Sequence, residues 1–162
     1  MSNLTFVKGD RDAQDLDPVS QQILEAASGT SVFDPVICEI AYCWFCPPGG
    51  VVLDPFAGGS VRGIVASTLG RGYVGIELRP EQVGANGAQL HLAGAPAPEW
   101  RQGDSRNITA LAGDVEADLI FSCPPYWNLE RYSDDPTDLS NMGKEEFFAA
   151  QAAIIRDSIA RL

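Results

Sequence analysis

Hydrophobic positions change period several times along the chain, and each change marks an element. Residues 1–29 are mostly polar, with Asp10-Arg11-Asp12 and Asp15-Leu16-Asp17-Pro18. Within them Ile23, Leu24 and Ala27 fall at helical spacing, which predicts a short helix over Val19–Ala27 ended by Gly29. This stretch reads as an N-terminal arm, 1–29, ahead of a domain over 30–162. A clear helix starts at Asp34, a good N-cap, with Pro35 in the first helical position, where a missing amide costs nothing. Ile37, Ala41 and Trp44 make one apolar stripe, with Val36, Ile40 and Cys43 beside it, and this face is expected to pack on the core. Pro47-Pro48-Gly49-Gly50 breaks the helix.

From Val51 the pattern alternates between strands and helices. Val51-Val52-Leu53 is fully apolar and suits a strand buried on both faces. A turn at Gly58-Gly59 leads into a helix through Ile64, Val65 and Leu69, stopped by Gly70. Tyr73-Val74-Gly75-Ile76 is the second strand; Pro80 opens a helix reaching about Leu92, weakened by Gly84 and Gly87. Trp100-Arg101-Gln102 is a short third strand and Leu119-Ile120-Phe121 a fourth. A polar loop over 129–141 precedes a last helix from about Lys144, with Phe148, Ile155, Ile159 and Leu162 on one face. This order predicts an α/β domain with a parallel sheet and right-handed crossovers, whose ligands bind beyond the carboxyl ends of the strands.

Charge and cysteine content narrow the setting. The net charge of −11 argues against strong non-specific nucleic-acid binding, which depends on Lys and Arg. No apolar run approaches the ~20 residues of a membrane span. Met1-Ser2-Asn3-Leu4-Thr5 does not begin a secretory signal, so no membrane association and a cytoplasmic setting are expected. Cysteines at 38, 43, 46 and 123 should then be reduced. Cys43-Trp44-Phe45-Cys46 has the spacing of a zinc half-site, but no second pair follows and His91 is the lone histidine. The pair ends a helix rather than starting one, where a dipole would favour thiolate. Buried structural thiols and no metal are expected.

The turns after the four strands carry the chemistry. Asp54-Pro55-Phe56-Ala57-Gly58-Gly59-Ser60 offers free amides at a helix N-terminus, and its leading carboxylate suits an amine-bearing ligand at the mouth. Glu77, about 20 positions on, stands where an acid can accept hydrogen bonds from a ribose diol. Gly103-Asp104-Ser105 supplies a carboxylate for an adenine amine, or a plain turn cap. Ser122-Cys123-Pro124-Pro125-Tyr126-Trp127 is the most specific feature: two prolines fix the chain direction, and two aromatic faces follow on which a planar base can stack.

Taken together, these motifs resemble the DNA amino-methyltransferases, which move a methyl group from S-adenosylmethionine to the exocyclic amine of adenine or cytosine. The family's first motif is matched by residues 54–60, its ribose-binding acid by Glu77 with Leu78 beside it, and its adenine-side acid by Asp104 with Ser105. Its methionine-side segment is matched by Thr30-Ser31-Val32-Phe33-Asp34-Pro35. Its catalytic motif, Asp, Asn or Ser before Pro-Pro-Tyr or Pro-Pro-Phe, is matched by Cys123-Pro124-Pro125-Tyr126. The resemblance covers about residues 30–140 and implies S-adenosylmethionine as cofactor. It also implies a Rossmann-like methyltransferase fold and DNA as partner, with the target base flipped onto Tyr126.

Two departures stand out. Cys123 replaces the family's Asp, Asn or Ser, which removes the usual clue to adenine against cytosine and leaves a weaker acceptor. It also raises thiolate attack on a cytosine ring carbon, although Pro-Pro-Tyr does not match the motif of that class. Ser122 could stand in, but in a regular strand it points to the other face. The second departure is the strand count: only four of the fold's strands are found, so the domain reads as truncated after about strand four. The strand-four edge is then expected to take a second copy or a partner chain. Other readings are a non-catalytic cofactor-binding fragment acting through assembly, and an RNA or small-molecule methyltransferase.

Overall fold

The structure, a computed structural model, describes residues 33–127 and 131–162. The expected arm and its helix lie outside the described residues. Asp34 accepts from the Val36 amide at 2.8 Å and caps α1 (Pro35–Phe45). A sheet–helix alternation follows: β1 (Val51–Asp54), α2 (Val61–Thr68), β2 (Gly72–Glu77), α3 (Pro80–Ala88), β3 (Glu99–Gln102), α4 (Ile108–Leu111), β4 (Leu119–Ile120) and α5 (Lys144–Ile159). Short 3-10 turns cover Leu90–Leu92, Ser105–Asn107 and Leu139–Asn141. The four strands are parallel in the order β3-β2-β1-β4, with Val52 level with Tyr73 and Leu119.

β1 runs through the middle and buries both faces, as its unbroken apolar run requires. Val52 and Tyr73 pack with Cys38, Ala41, Tyr42 and Ala66 on the α1 and α2 side. Leu53, Val74 and Ile76 face the opposite way, onto Ile108, Ala112, Val115 and Ala117. A Cβ at Gly63 would sit 2.7 Å from Trp100 Cζ2 and 3.0 Å from Tyr73 Cδ1, so only glycine lets α2 lie this close to the sheet. A third cluster of Leu139, Phe147 and Ile154, with Phe56 and Trp127 against it, carries α5 toward the ligand end of the sheet.

The buried stripe of α1 is Cys38, Ala41 and Tyr42, while Val36, Ile37, Ile40, Trp44 and Phe45 are exposed, Trp44 at 74%. Tyr42 decides the rotation: its ring meets Phe121 and its hydroxyl donates to the Arg62 carbonyl at 3.1 Å, contacts that Trp44 on the opposite side cannot make. Cys43 turns outward with Trp44 and is exposed, against the expected burial; Cys38 and Cys46 are buried and Cys123 is half-buried. Burial pushes the Cys38 thiol up to about 11, so it stays protonated at neutral pH. Among the described residues no group of Cys, His and carboxylates is placed to hold a metal. In α5, Phe147, Ile154 and Ser158 are buried, while the apolar face of Phe148, Ile155 and Ile159, continued by Leu162, is exposed, as a face without a surface to pack on is expected to be. The third helix stops as an α-helix at Ala88 and tightens into the 3-10 turn, short of the expected continuous run. Among the described residues no helix is long and apolar enough to cross a membrane.

Candidate active site

The carboxyl ends of β1, β2 and β3 and the loop after β4 converge, and the turn after β1 is the centre. Gly58 adopts φ 51°, a left-handed conformation that side chains disfavour, and its two backbone groups are clamped. Its amide donates to Glu77 Oε2 at 2.9 Å, and its carbonyl accepts from Asn86 Nδ2 at 2.8 Å. Asn86 is buried and held in turn by Gln82. Ala57 is buried and donates its amide to the Ile76 carbonyl at 2.9 Å. The Ser60 hydroxyl donates to Gln89 Oε1, and the buried Ser105 hydroxyl to the Pro55 carbonyl, so neighbouring loops are stitched to the same turn.

Asp54 lies beneath this turn rather than at its mouth. It is fully buried and accepts four hydrogen bonds: Arg62 Nε at 2.6 Å, Tyr73 Oη at 2.7 Å, Ser122 Oγ at 2.5 Å and the Phe56 amide at 3.0 Å. That fills the usual acceptor capacity of a carboxylate. The expected direct contact between Asp54 and a ligand amine is therefore corrected: its physical work is to hold the turn. Burial drives the Tyr73 phenol well above its ordinary range, with Asp54 adding to the rise, so it remains a donor. Arg62 also reaches the Phe56 and Ala57 carbonyls at 2.6 and 2.8 Å and lies 4.7 Å over the Phe33 ring.

Glu77 ends β2 nearly buried, at 8% exposure. Its Oε1 accepts from the Arg79 amide at 2.9 Å, and its Oε2 from Gly58. Leu78 is half-buried beside it. Asp104 caps the 3-10 turn through the Arg106 amide at 2.9 Å and pairs with the Arg106 guanidinium at 2.6 Å, which raises the Arg106 pKa. After β4, Cys123, Pro124 and Pro125 are half-buried and Tyr126 is 53% exposed, with Cys123 Sγ 3.8 Å from Tyr126 Oη. Trp127 differs from the expectation of an aromatic face open to a base: it packs on the Leu139–Phe147 cluster with Lys144 Nζ 5.5 Å from its ring centre.

Residues 44–86 match a family described as DNA methylase. The chain is also 44% identical over 80 residues to DNA adenine methyltransferase YhdJ of Escherichia coli strain K12. This stretch is similar to the amino-methyltransferases of DNA. The match covers 45% of this chain and 27% of YhdJ, so the chain spans about a quarter of that relative. Among solved structures, TrmN from Thermus thermophilus superimposes with a TM-score of 0.63 at 23% identity, over 85% of this chain and 37% of TrmN. A TehB-like SAM-dependent methyltransferase from Corynebacterium glutamicum aligns at a TM-score of 0.46 and 15% identity, over 84% of this chain and 79% of its own. The fold is thus the Rossmann-like methyltransferase fold, represented here by four parallel strands.

The cofactor that this family and fold imply is S-adenosylmethionine. The residues present fit it. A Cβ added at Gly58 or Gly59 meets nothing within 4 Å, so space lies open above the turn for a ligand to approach the backbone. Glu77 Oε2 keeps acceptor capacity beyond the Gly58 amide at the edge of that space, while Oε1 already accepts from the Arg79 amide and, at 3.3 Å, from Arg79 Nε.

Sequence reasoning missed Arg62, Tyr73, Asn86 and the role of Ser122. Arg62 left a signal: it shares the buried side of α2 with Gly63, Ala66 and Ser67. A cation on a helix's core stripe needs a buried anion, and Asp54 is the acid nearest in sequence. Asn86 and Tyr73 left none, because polar groups at helical or strand spacing do not announce partners that only the fold brings close.

Proposed function

We propose that this chain is the cofactor-binding and acceptor-loop portion of an S-adenosylmethionine-dependent DNA methyltransferase acting on an exocyclic base amine. The observation that carries the reading is the Gly58 clamp: one glycine turn is held at once by Glu77 and Asn86, and open space lies above it. When bound, the cofactor supplies an electrophilic methyl group. Glu77 orients the ribose diol, Asp104 and Ser105 lie on the adenine side, and Phe33 with residues 55–60 borders the methionine side. Tyr126 stacks on the flipped base. The Pro124 carbonyl and the Cys123 side chain accept hydrogen bonds from its amine and so keep the nitrogen lone pair free for in-line attack. Asp54 contributes by holding the turn, not by touching the ligand.

A small-molecule or RNA acceptor has one observation in its favour. Among the described residues, Arg62, Arg79, Arg101, Arg106, Arg131 and Arg156 all sit in ion pairs with carboxylates, which leaves little cationic surface for a DNA backbone. A competition assay decides. Labelled methyl transfer from S-adenosylmethionine to mixed-sequence DNA, RNA and small amines should favour DNA and yield an N-methylated base on digestion. Label confined to RNA or small amines contradicts the DNA reading.

A further inference from the structure

β4 is a two-residue strand, and the last backbone bond tying its end to β1 is the Phe121 amide to the Leu53 carbonyl at 3.2 Å. The residues that follow, Cys123 to Tyr126, are those that must meet the acceptor. Their distance from the cofactor turn is therefore not set by a long strand ladder. One side chain bridges the gap. Ser122 Oγ donates to Asp54 Oδ1 and accepts from the Phe56 amide at 3.1 Å, so one hydroxyl touches both ends of the cofactor turn's first half. Asp54 is in turn fixed by Arg62 and Tyr73, and Arg62 grips the Phe56 and Ala57 carbonyls.

We propose that Ser122 is a positioning residue: its hydroxyl, held by the buried Asp54–Arg62 pair, sets the acceptor loop against the cofactor turn. This rests on the proposed function for its catalytic consequence but not for its geometry. A buried ion pair contributes little net stability, because desolvating both charges offsets their attraction. What it supplies here is a rigid, fully solvated-out anchor whose remaining acceptor site is aimed at Ser122. A hydrogen bond to a charged group is also among the strong ones, which suits a joint that must hold without strand pairing.

The test compares Ser122→Ala with Ser122→Thr, which keeps the hydroxyl. Three readouts are taken: cofactor affinity by calorimetry, turnover of labelled methyl transfer, and peptide-resolved alkylation rates of the cysteines by mass spectrometry. In Ser122→Ala, Cys123 should alkylate about tenfold faster or more, the worth of one hydrogen bond to a charged partner. Buried Cys38 should stay as slow as in the parent, which separates a freed loop from general loosening. Cofactor affinity should stay within about twofold while turnover falls by a similar tenfold or more, and Ser122→Thr should restore turnover and the parental Cys123 alkylation rate. Parental Cys123 alkylation in Ser122→Ala, or equal acceleration at Cys38, overturns the inference. If the parent chain neither binds cofactor nor transfers methyl, the functional reading fails on its own, and the alkylation contrast still decides the positioning role.

Discussion

Tyr126 and Asp54 show how differently two motif residues are placed. Tyr126 is more than half exposed at the loop after β4, where a ring can receive a base without first leaving a packed core. Asp54 has no exposure at all. Replacing Tyr126 by alanine should thus spare cofactor affinity and remove methyl transfer, since one base–aromatic stack is worth ~1–3 kcal/mol and the ring also orients the amine. Parallel calorimetry and turnover measurements check this. A fall in cofactor affinity as large as the fall in turnover would break the proposed division of roles. Asp104 was the site residue least decided by sequence, since a turn cap and an adenine partner need the same residue type. Its carboxylate caps the Arg106 amide and pairs with the guanidinium, so the capping role is present in the structure alongside the proposed one.

At the scale of elements, α1 carries two apolar stripes, and of the expected one, Ile37, Ala41 and Trp44, only Ala41 is buried. Ile37, Ile40 and Trp44 keep helical spacing as well as Cys38, Ala41 and Tyr42 do, so periodicity alone cannot choose between them. The choice is made by Tyr42, whose hydroxyl finds a buried acceptor, and by the small side chains that let α1 close onto α2. The first two strands were legible because Val51-Val52-Leu53 and Tyr73-Val74-Gly75-Ile76 are apolar runs bounded by turn signals. The outward stripes have a consequence. β4 lies at the edge of the described sheet, and Ile37, Ile40 and Trp44 on α1 and Phe148, Ile155 and Ile159 on α5 face outward, where apolar side chains favour association. Self-association is the expected outcome, with sedimentation velocity showing a mean mass that rises through the micromolar range and falls back in Ile155→Glu. A single monomeric species at every concentration would contradict it.

For the whole molecule, the functional ends of four strands could be read from the sequence as a set, because each motif follows an apolar run and a parallel sheet brings such ends together. What could not be read was the layer beneath them: Arg62, Tyr73 and Ser122 meet Asp54 only once β1, β2 and β4 lie side by side. The proposed cofactor site is bordered by the glycine turn's backbone and Glu77, and the buried Asp54 carboxylate holds that turn from below. Calorimetric titration of the chain with S-adenosylmethionine, alongside Glu77→Ala, tests this most directly. One site should saturate in the parent, and Glu77→Ala should lose ~1.5–3 kcal/mol of binding, the range for hydrogen bonds to a charged group. No binding by the parent, or equal affinity in Glu77→Ala, would contradict it.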